Sequence, residues 1–504
     1  MTRVVGRRPC VLLINPRMCG RRHVRLPLSL LTIAAELEGR YAYTILDGNV
    51  SSDLVADTLA VLGNEPIAFA AVTVMPGPQV APAIEVSTAI RDARPDVPIM
   101  WGGYFPTLYP AAAINARYVD AVVRGPGERT LLDLIERWPD VANVAGITRR
   151  HDGAVVHNPE RPLRSPDACA PLPYHALRDV EPYMQPTFMG RRTGVHQAAL
   201  GCRYRCTFCG VVSMFNGQTL LQTSERLAAD LDRLRRACGV DSLQFYDNNF
   251  FDRADTSLAV LETLARVQLP WWCYARADAL AAFTPQMWAL ARQSRMRMAY
   301  IGAEAGDNAA LTRMQKGTRV EQTLEVAARL REHGITPEFS FVLGGPTDPE
   351  ADTEATLAFI RRLKRAHPAC EVILYFYSPT PQRDARAVRR GAGTRPPVME
   401  RYGPDGPALP TTPEEWTEPR WVRYVCHQDA PWLTPRMRRR VRDFARVLEC
   451  RFPTVQDART PRWQKSLLRN LARWRWATEV YARPYELDLA RRHIALHEPQ
   501  VESV

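Results

Sequence analysis

At 504 residues, 46% of them apolar, the chain is too long for one ordinary core, and two or three domains are expected. The longest apolar run, Ile67 to Met75, falls far short of a membrane span, and Val11–Ile14 is too short for a signal-peptide core, which excludes an integral membrane segment and a secreted chain from the expectation. A net charge of +12 rests on 66 basic residues, all but three of them arginine; they alternate with acids along expected helices, as solvated faces do, so no nucleic-acid partner is expected.

The first 150 residues alternate short apolar runs with amphipathic ones. Strands are expected at Val11–Asn15, Tyr43–Leu46, Ile67–Met75, Ile99–Trp101 and Ala121–Arg124, and helices at Leu28–Glu38, Ser52–Leu62, Ala81–Ala93 and Glu128–Trp138. Such alternation implies α/β architecture with a doubly wound, Rossmann-like parallel sheet, whose ligands bind outside the carboxyl ends of the strands. Those ends carry Asn15-Pro16, Met75-Pro76-Gly77-Pro78, Gly102-Gly103 through Pro106-Thr107, and Gly125-Pro126-Gly127-Glu128. Glycine lets a backbone approach a ligand closely, and four such loops on one edge predict a crevice. A small hairpin is expected around Asp152-Gly153. Residues 151–189 are proline-rich and read as a linker.

A second alternation begins at His196, with strands expected at His196–Leu200, Ser242–Tyr246, Trp271–Ala275, Ala299–Ala303, Glu338–Leu343 and Glu371–Phe376. Six strand–helix units over 190–395 make a partial (β/α)6 barrel of the TIM type, with its active site at the strand C-termini. Polar groups stand there: Asp247, Asn248 and Asn249, then Arg276 and Asp278, Glu304, Gly344 and Gly345, and Ser378 to Pro381. Ordinary roles exist for some of them, since Glu304 could cap a helix and Arg276 could pair with Asp278 or Asp247.

Behind the first of these strands lies Gly201-Cys202-Arg203-Tyr204-Arg205-Cys206-Thr207-Phe208-Cys209-Gly210. Thiolates spaced Cys-x3-Cys-x2-Cys can converge on one metal centre. Structural zinc takes four ligands, and no Cys or His pair follows at finger-like spacing. Three ligands on a four-iron cluster leave one iron open. The other eight of the eleven cysteines are scattered, which suits a reducing, cytoplasmic setting rather than a disulfide framework.

From 396 to 504 a proline-rich stretch, Gly393 to Pro419, gives way to helices expected at Arg436–Cys450, Pro461–Tyr481 and Pro484–His497. Trp463, Leu467, Leu468, Leu471, Trp474 and Val480 fall near one face and are expected to pack against the barrel as a helical cap, with a membrane surface or an amphiphilic partner as the alternative for a basic, aromatic helix.

The cysteine loop resembles the signature of the radical S-adenosylmethionine (SAM) superfamily. The strand-end loops upstream of it are similar to the cobalamin-binding domain of cobalamin-dependent radical SAM enzymes, although Phe105 and Pro126 stand where family members often carry His and Glu. The resemblance implies a [4Fe-4S] cluster on Cys202, Cys206 and Cys209, and SAM contacts from Phe208, Asp247, Asn248, Asn249, Arg276, Glu304, Gly344 and Gly345. It implies cobalamin at Pro16, Met75, Gly102, Gly103, Gly125, Gly127 and Glu128. No Asp-x-His-x-x-Gly motif is present, and His23 reads as an exposed loop histidine, so no histidine ligand below cobalt is expected. The implied activity is methylation of an unactivated carbon of a small-molecule substrate, through a 5′-deoxyadenosyl radical and methylcobalamin, fed by an external electron donor such as flavodoxin or ferredoxin. An oxidative ring-forming or rearrangement reaction is the rival, and a non-catalytic cobalamin sensor a more distant one.

Overall fold

The computed structural model describes residues 10–381, 408–430, 432–457 and 459–496. The expected barrel end at Arg395, most of the proline-rich stretch from Gly393, and His497 lie outside them. The chain forms two compact units that do not follow the four linear segments.

Unit one comprises residues up to 185, 196–239 and 379–426. Its sheet runs β2-β1-β3-β4-β5-β6-β7. The strands are β1 (Cys10–Asn15), β2 (Ala42–Asp47), β3 (Ile67–Thr73), β4 (Ile99–Gly102), β5 (Ala121–Val123), β6 (Ile147–His151) and β7 (Ala154–His157). The first five pair in parallel, and the hairpin β6–β7 closes the edge in antiparallel register. Val11 to Ile14 are all buried, because a sheet covered on both faces needs a continuous apolar run rather than an alternating one. The order 2-1-3-4-5 reverses between β1 and β3, the switch point beside which a crevice opens. The expected hairpin around Asp152-Gly153 is thus present as β6–β7, and the proline-rich segment begins inside it.

A second piece of unit one is a two-stranded hairpin, β9 (Ala199–Gly201) with β10 (Thr219–Leu221). The expected strand His196–Leu200 is in fact broken there. The break falls at Gln197 and Ala198, and Gly201, at φ +77°, lets β9 end close against its neighbour, where a Cβ would stand 2.4 Å from the Gln218 carbonyl. A third piece returns from late in the chain. Trp416, buried, packs 4.2 Å from the Tyr109 ring and 5.9 Å from Phe105 (centroid distances), and Tyr118 donates to Glu414 at 2.8 Å.

Unit two holds the partial barrel, in the order β15-β14-β13-β12-β11-β8. Its strands are β8 (Thr193–His196), β11 (Ser242–Phe245), β12 (Trp271–Arg276), β13 (Met296–Glu304), β14 (Thr336–Leu343) and β15 (Glu371–Phe376). Those from β11 to β15 pair in parallel, each linked to the next through helices such as Ala254–Val267 and Val320–Glu332. The first barrel strand lies three residues earlier than expected, because Thr193 and Gly194 carry no apolar signal.

The C-terminal helices of unit two are Pro435–Arg451, Arg462–Leu471, Arg473–Thr478 and Tyr485–His493. The expected helix over Pro461–Tyr481 breaks at Ala472. Its packing face is also different from the expected one. Leu468 and Ala472 are buried, whereas Trp463, Leu467, Trp474 and Val480 point to solvent. No described helix is long and apolar enough to cross a membrane.

Candidate active site

In unit one the carboxyl edge of the sheet is stapled by polar side chains. Gln79 donates to the Asn15 side chain at 2.8 Å and to the Pro16 carbonyl at 2.6 Å, and accepts from the Met75 amide at 2.7 Å. One buried glutamine thus holds together the loops after β1 and β3, on the two sides of the switch point. Asn49 does the same between β1 and β2, accepting from the amides of Met18 and Cys19 at 2.8 and 3.1 Å. Asp47 orients Asn49 and Asn15; burial pushes its carboxyl up, and hydrogen bonds from Asn49, Tyr183 and Asn15 pull against that shift.

The glycine loops interlock. Gly103 has φ +100°, and a Cβ there would meet the Val74 carbonyl at 2.8 Å. Thr107 donates to the Gly103 carbonyl at 2.7 Å and accepts from the Gly125 amide at 3.0 Å, joining the loops after β4 and β5. Gly102, Gly127 and Glu128 are partly open, Pro16 is buried and Met75 is half-buried. Phe105 lies wholly in the core between Trp101 and Tyr109, which explains an apolar residue at that position. His23 differs from the expectation: it is half-buried in a short turn, with a shielded, unpaired Nδ1.

The cysteine loop belongs to this same unit. Cys206 is buried, Cys202 and Cys209 are half-buried, and the Cys209 amide donates to the Cys206 carbonyl at 3.2 Å, closing a tight turn. Among the described residues no three Cys, His, Asp or Glu side chains stand in a group that could hold a metal ion. The loop's claim on a cluster accordingly lies in its spacing and in the three thiols it carries. A cavity of about 300 Å³ is lined by Gly125, Pro126 and Glu128 on the sheet side and by Leu200, Met214 and Asn216 around the cysteine loop.

In unit two the strand-end groups are buried. Glu304 sits at φ +61°, a strained conformation for a residue with a side chain. Lys316 donates to its carboxylate at 2.6 Å, and Ser340 approaches at 3.5 Å. Gly302 makes this possible, since a Cβ there would lie 2.1 Å from the Glu304 carboxylate. Arg276 grips Asp278 with two bonds of 2.9 and 3.0 Å and donates to the Lys316 carbonyl, so its ordinary pairing is realised. Asn249 is buried with neither side-chain atom hydrogen-bonded, and the Asn248 carbonyl oxygen is likewise shielded and unpaired. Buried amides without partners fit a polar ligand in that position. Asp247 is buried beside them. Gly344 is accounted for by packing: Leu433 would lie 2.7 Å from its Cβ, and the Trp432 indole donates to its carbonyl. Phe208, on the cysteine loop, is half-buried, and Gly345 lies against Asp352.

Sequence reasoning missed Gln79, Asn49, Thr107, Gly302 and Lys316. Lysine's rarity in this chain was a usable signal for Lys316; the others carry none outside the fold.

Comparison with known proteins follows the linear order of the chain rather than the two units, since its second match spans residues of both. Residues 23–135 match the B12 binding domain and residues 198–360 match the Radical SAM superfamily. An uncharacterized methyltransferase of Pyrococcus horikoshii is 23% identical over 345 residues, covering 67% of this chain and 73% of that protein. An anaerobic magnesium-protoporphyrin IX monomethyl ester cyclase of Rubrivivax gelatinosus is 23% identical over 335 residues, covering 63% of this chain but only 57% of the cyclase. The radical SAM methyltransferase TsrM of Kitasatospora setae, solved with cobalamin and a [4Fe-4S] cluster, shares the fold at a TM-score of 0.61 and 18% identity, over 74% of this chain and 73% of that one. The chain carries the domain pair of the cobalamin-dependent radical SAM enzymes, and its domains fit cobalamin, SAM and a [4Fe-4S] cluster.

Proposed function

We propose that this cobalamin-dependent radical SAM enzyme is a methyltransferase that methylates an unactivated carbon of a small-molecule substrate. The observation that carries the reading is the pairing of a stapled glycine crevice with the Cys-x3-Cys-x2-Cys loop in one compact unit. Cys202, Cys206 and Cys209 are the proposed cluster ligands, with Phe208 beside them. Pro16, Met75, Gly102, Gly103, Gly125, Gly127 and Glu128 are proposed to face cobalamin.

When bound, these groups supply radical generation and a transferable methyl group; the protein supplies orientation and exclusion of water. Asn248 and Asn249 offer buried, unpaired amide atoms to SAM. Glu304, fixed by Lys316, offers its second oxygen, and Arg276, locked on Asp278, shapes the wall rather than meeting the ligand by a free fork. Gly344 and Gly345 are proposed to present backbone. Turnover needs an external one-electron donor such as flavodoxin or ferredoxin, and eleven cysteines, none of them in a disulfide, suit a cytoplasmic setting.

Cyclisation is the second reading, favoured by the Rubrivivax relative's name. The test is anaerobic reconstitution followed by incubation with SAM, reductant and candidate substrates. Wild-type protein should bind about four irons per chain, cleave SAM and add a methyl mass to product. Cys202→Ala, Cys206→Ala and Cys209→Ala should each lose iron and SAM cleavage with unchanged circular dichroism, whereas Cys238→Ala and Cys370→Ala should keep both. Full iron in Cys206→Ala would overturn the ligand assignment, and a cyclised, unmethylated product would select the second reading.

A further inference from the structure

The C-terminal helices of unit two have two apolar faces, and only one is used inside the fold. On the inner side Leu468 and Ala472 are fully buried, and Trp476 packs 5.0 Å from Phe452 and 5.9 Å from Phe444 (centroid distances). The outer side carries Trp463, Leu467 and Trp474, which are 66%, 43% and 50% exposed. On the helix Arg462–Leu471, Trp463 and Leu467 stand four residues apart and so share one face, and Trp474 is exposed on the next helix, Arg473–Thr478. Arg462 and Arg469 are exposed about a third of a turn to one side of the first two, and Arg473 is exposed beside Trp474. The helix Tyr485–His493 repeats the arrangement at four-residue spacing with Tyr485, 68% exposed, and Leu489, 57% exposed. The core demands none of these side chains, since the inner line already anchors the helices.

Charge says what this face would meet. Residues 435–496 hold sixteen Lys and Arg against six Asp and Glu, a surplus of ten, in a chain whose net charge is +12. Ten of the twelve excess positive charges therefore lie in the C-terminal helices, and residues 462–478, which display Trp463, Leu467 and Trp474, hold five Lys and Arg and no Asp or Glu. Tryptophan settles at the boundary of headgroups and acyl chains, and arginine is drawn to anionic headgroups; leucine gains by entering the acyl region but gains nothing from a phosphodiester backbone. We propose that this face docks the enzyme on an anionic phospholipid surface, lying on the bilayer without crossing it. The proposal stands apart from the methyl-transfer reading and uses none of the residues assigned to it.

The test is co-sedimentation of the full-length protein with vesicles of phosphatidylcholine alone, or of phosphatidylcholine and phosphatidylglycerol at two to one. Wild-type protein should partition onto the anionic vesicles, and raising the salt should release it. The triple variant Arg462→Ala, Arg469→Ala, Arg473→Ala should bind about a hundredfold more weakly. The triple variant Trp463→Ser, Leu467→Ser, Trp474→Ser should fail to bind while keeping the wild-type melting temperature and iron content, because all three side chains face water. Absence of wild-type binding to anionic vesicles overturns the proposal, as does undiminished binding by either triple variant. So does binding to single-stranded RNA, abolished in the arginine variant, in place of binding to vesicles.

Discussion

At the scale of single residues, the ion pair over Gly302 concentrates the most structural cost in the smallest space. Glu304 holds a left-handed backbone, its carboxylate occupies the volume a Gly302 side chain would need, and both members of the pair are buried. Removing one partner of a buried pair leaves the other charge unpaired in a poor solvent. Lys316→Gln is therefore expected to cost about 3–5 kcal/mol in urea unfolding of unit two. It should also weaken SAM binding measured by equilibrium dialysis, since Glu304 loses the group that orients it. An unchanged unfolding midpoint would show that the pair bears no such load. Glu304 and Arg276 were legible from their positions at strand ends. Lys316 was not, because only the turn after the helix Asn308–Arg313, where the Lys316 amide donates back to the Leu311 carbonyl at 3.0 Å, brings it onto the carboxylate twelve residues upstream.

At the scale of elements, the opposite end of the barrel holds a buried pair of carboxyls. Glu338 of β14 stands in register with Glu371 of β15. The segment after the helix Pro435–Arg451 closes over both: Gln456 donates to Glu338 at 3.2 Å, while Thr454 and the Val455 amide donate to Glu371 at 2.8 and 2.7 Å. Burial pushes both carboxyls up, and for Glu338 the neighbouring Glu371 adds to the shift. A carboxyl raised in the folded state contributes stability that is complete below its ordinary value near 4.5 and is lost as pH rises through the folded value. Unit two is thus expected to lose stability as pH rises from the mid-4s. Glu338→Gln should flatten that slope in a series of urea melts across pH, and an identical slope in the variant would exclude Glu338 as its source. The strands themselves were legible to within a few residues, as at Glu371–Phe376, because continuous apolar runs mark covered parallel strands. The break between β8 and β9 was not, since Gln197 and Ala198 interrupt the strand without any Gly or Pro to mark it.

At the scale of the whole molecule, the chain does not fold in the order in which it is written. Segment 196–239, expected in the barrel, belongs to the compact unit of the crevice sheet, and so does 408–426 from the expected cap. Composition showed that the stretch around Pro410–Pro419 is irregular but not where it goes, because its partners Asn115 and Tyr118 lie 296 residues upstream. What commits the segment is one aromatic cluster. Trp416 is 1% exposed and is wedged among Phe105, Tyr109 and Trp421, with Tyr424 beyond. Phe105 in turn donates its amide to the Val74 carbonyl, next to the loop that carries Met75. Truncating a fully buried tryptophan costs about 3–5 kcal/mol, a large share of the stability of an ordinary domain. Trp416→Ala is therefore expected to expose β3, β4 and β5 in hydrogen-exchange mass spectrometry and to weaken cobalamin retention on gel filtration, while β12 to β14 keep their protection. Loss of protection confined to residues 408–426 would mean instead that the segment covers the sheet without supporting it.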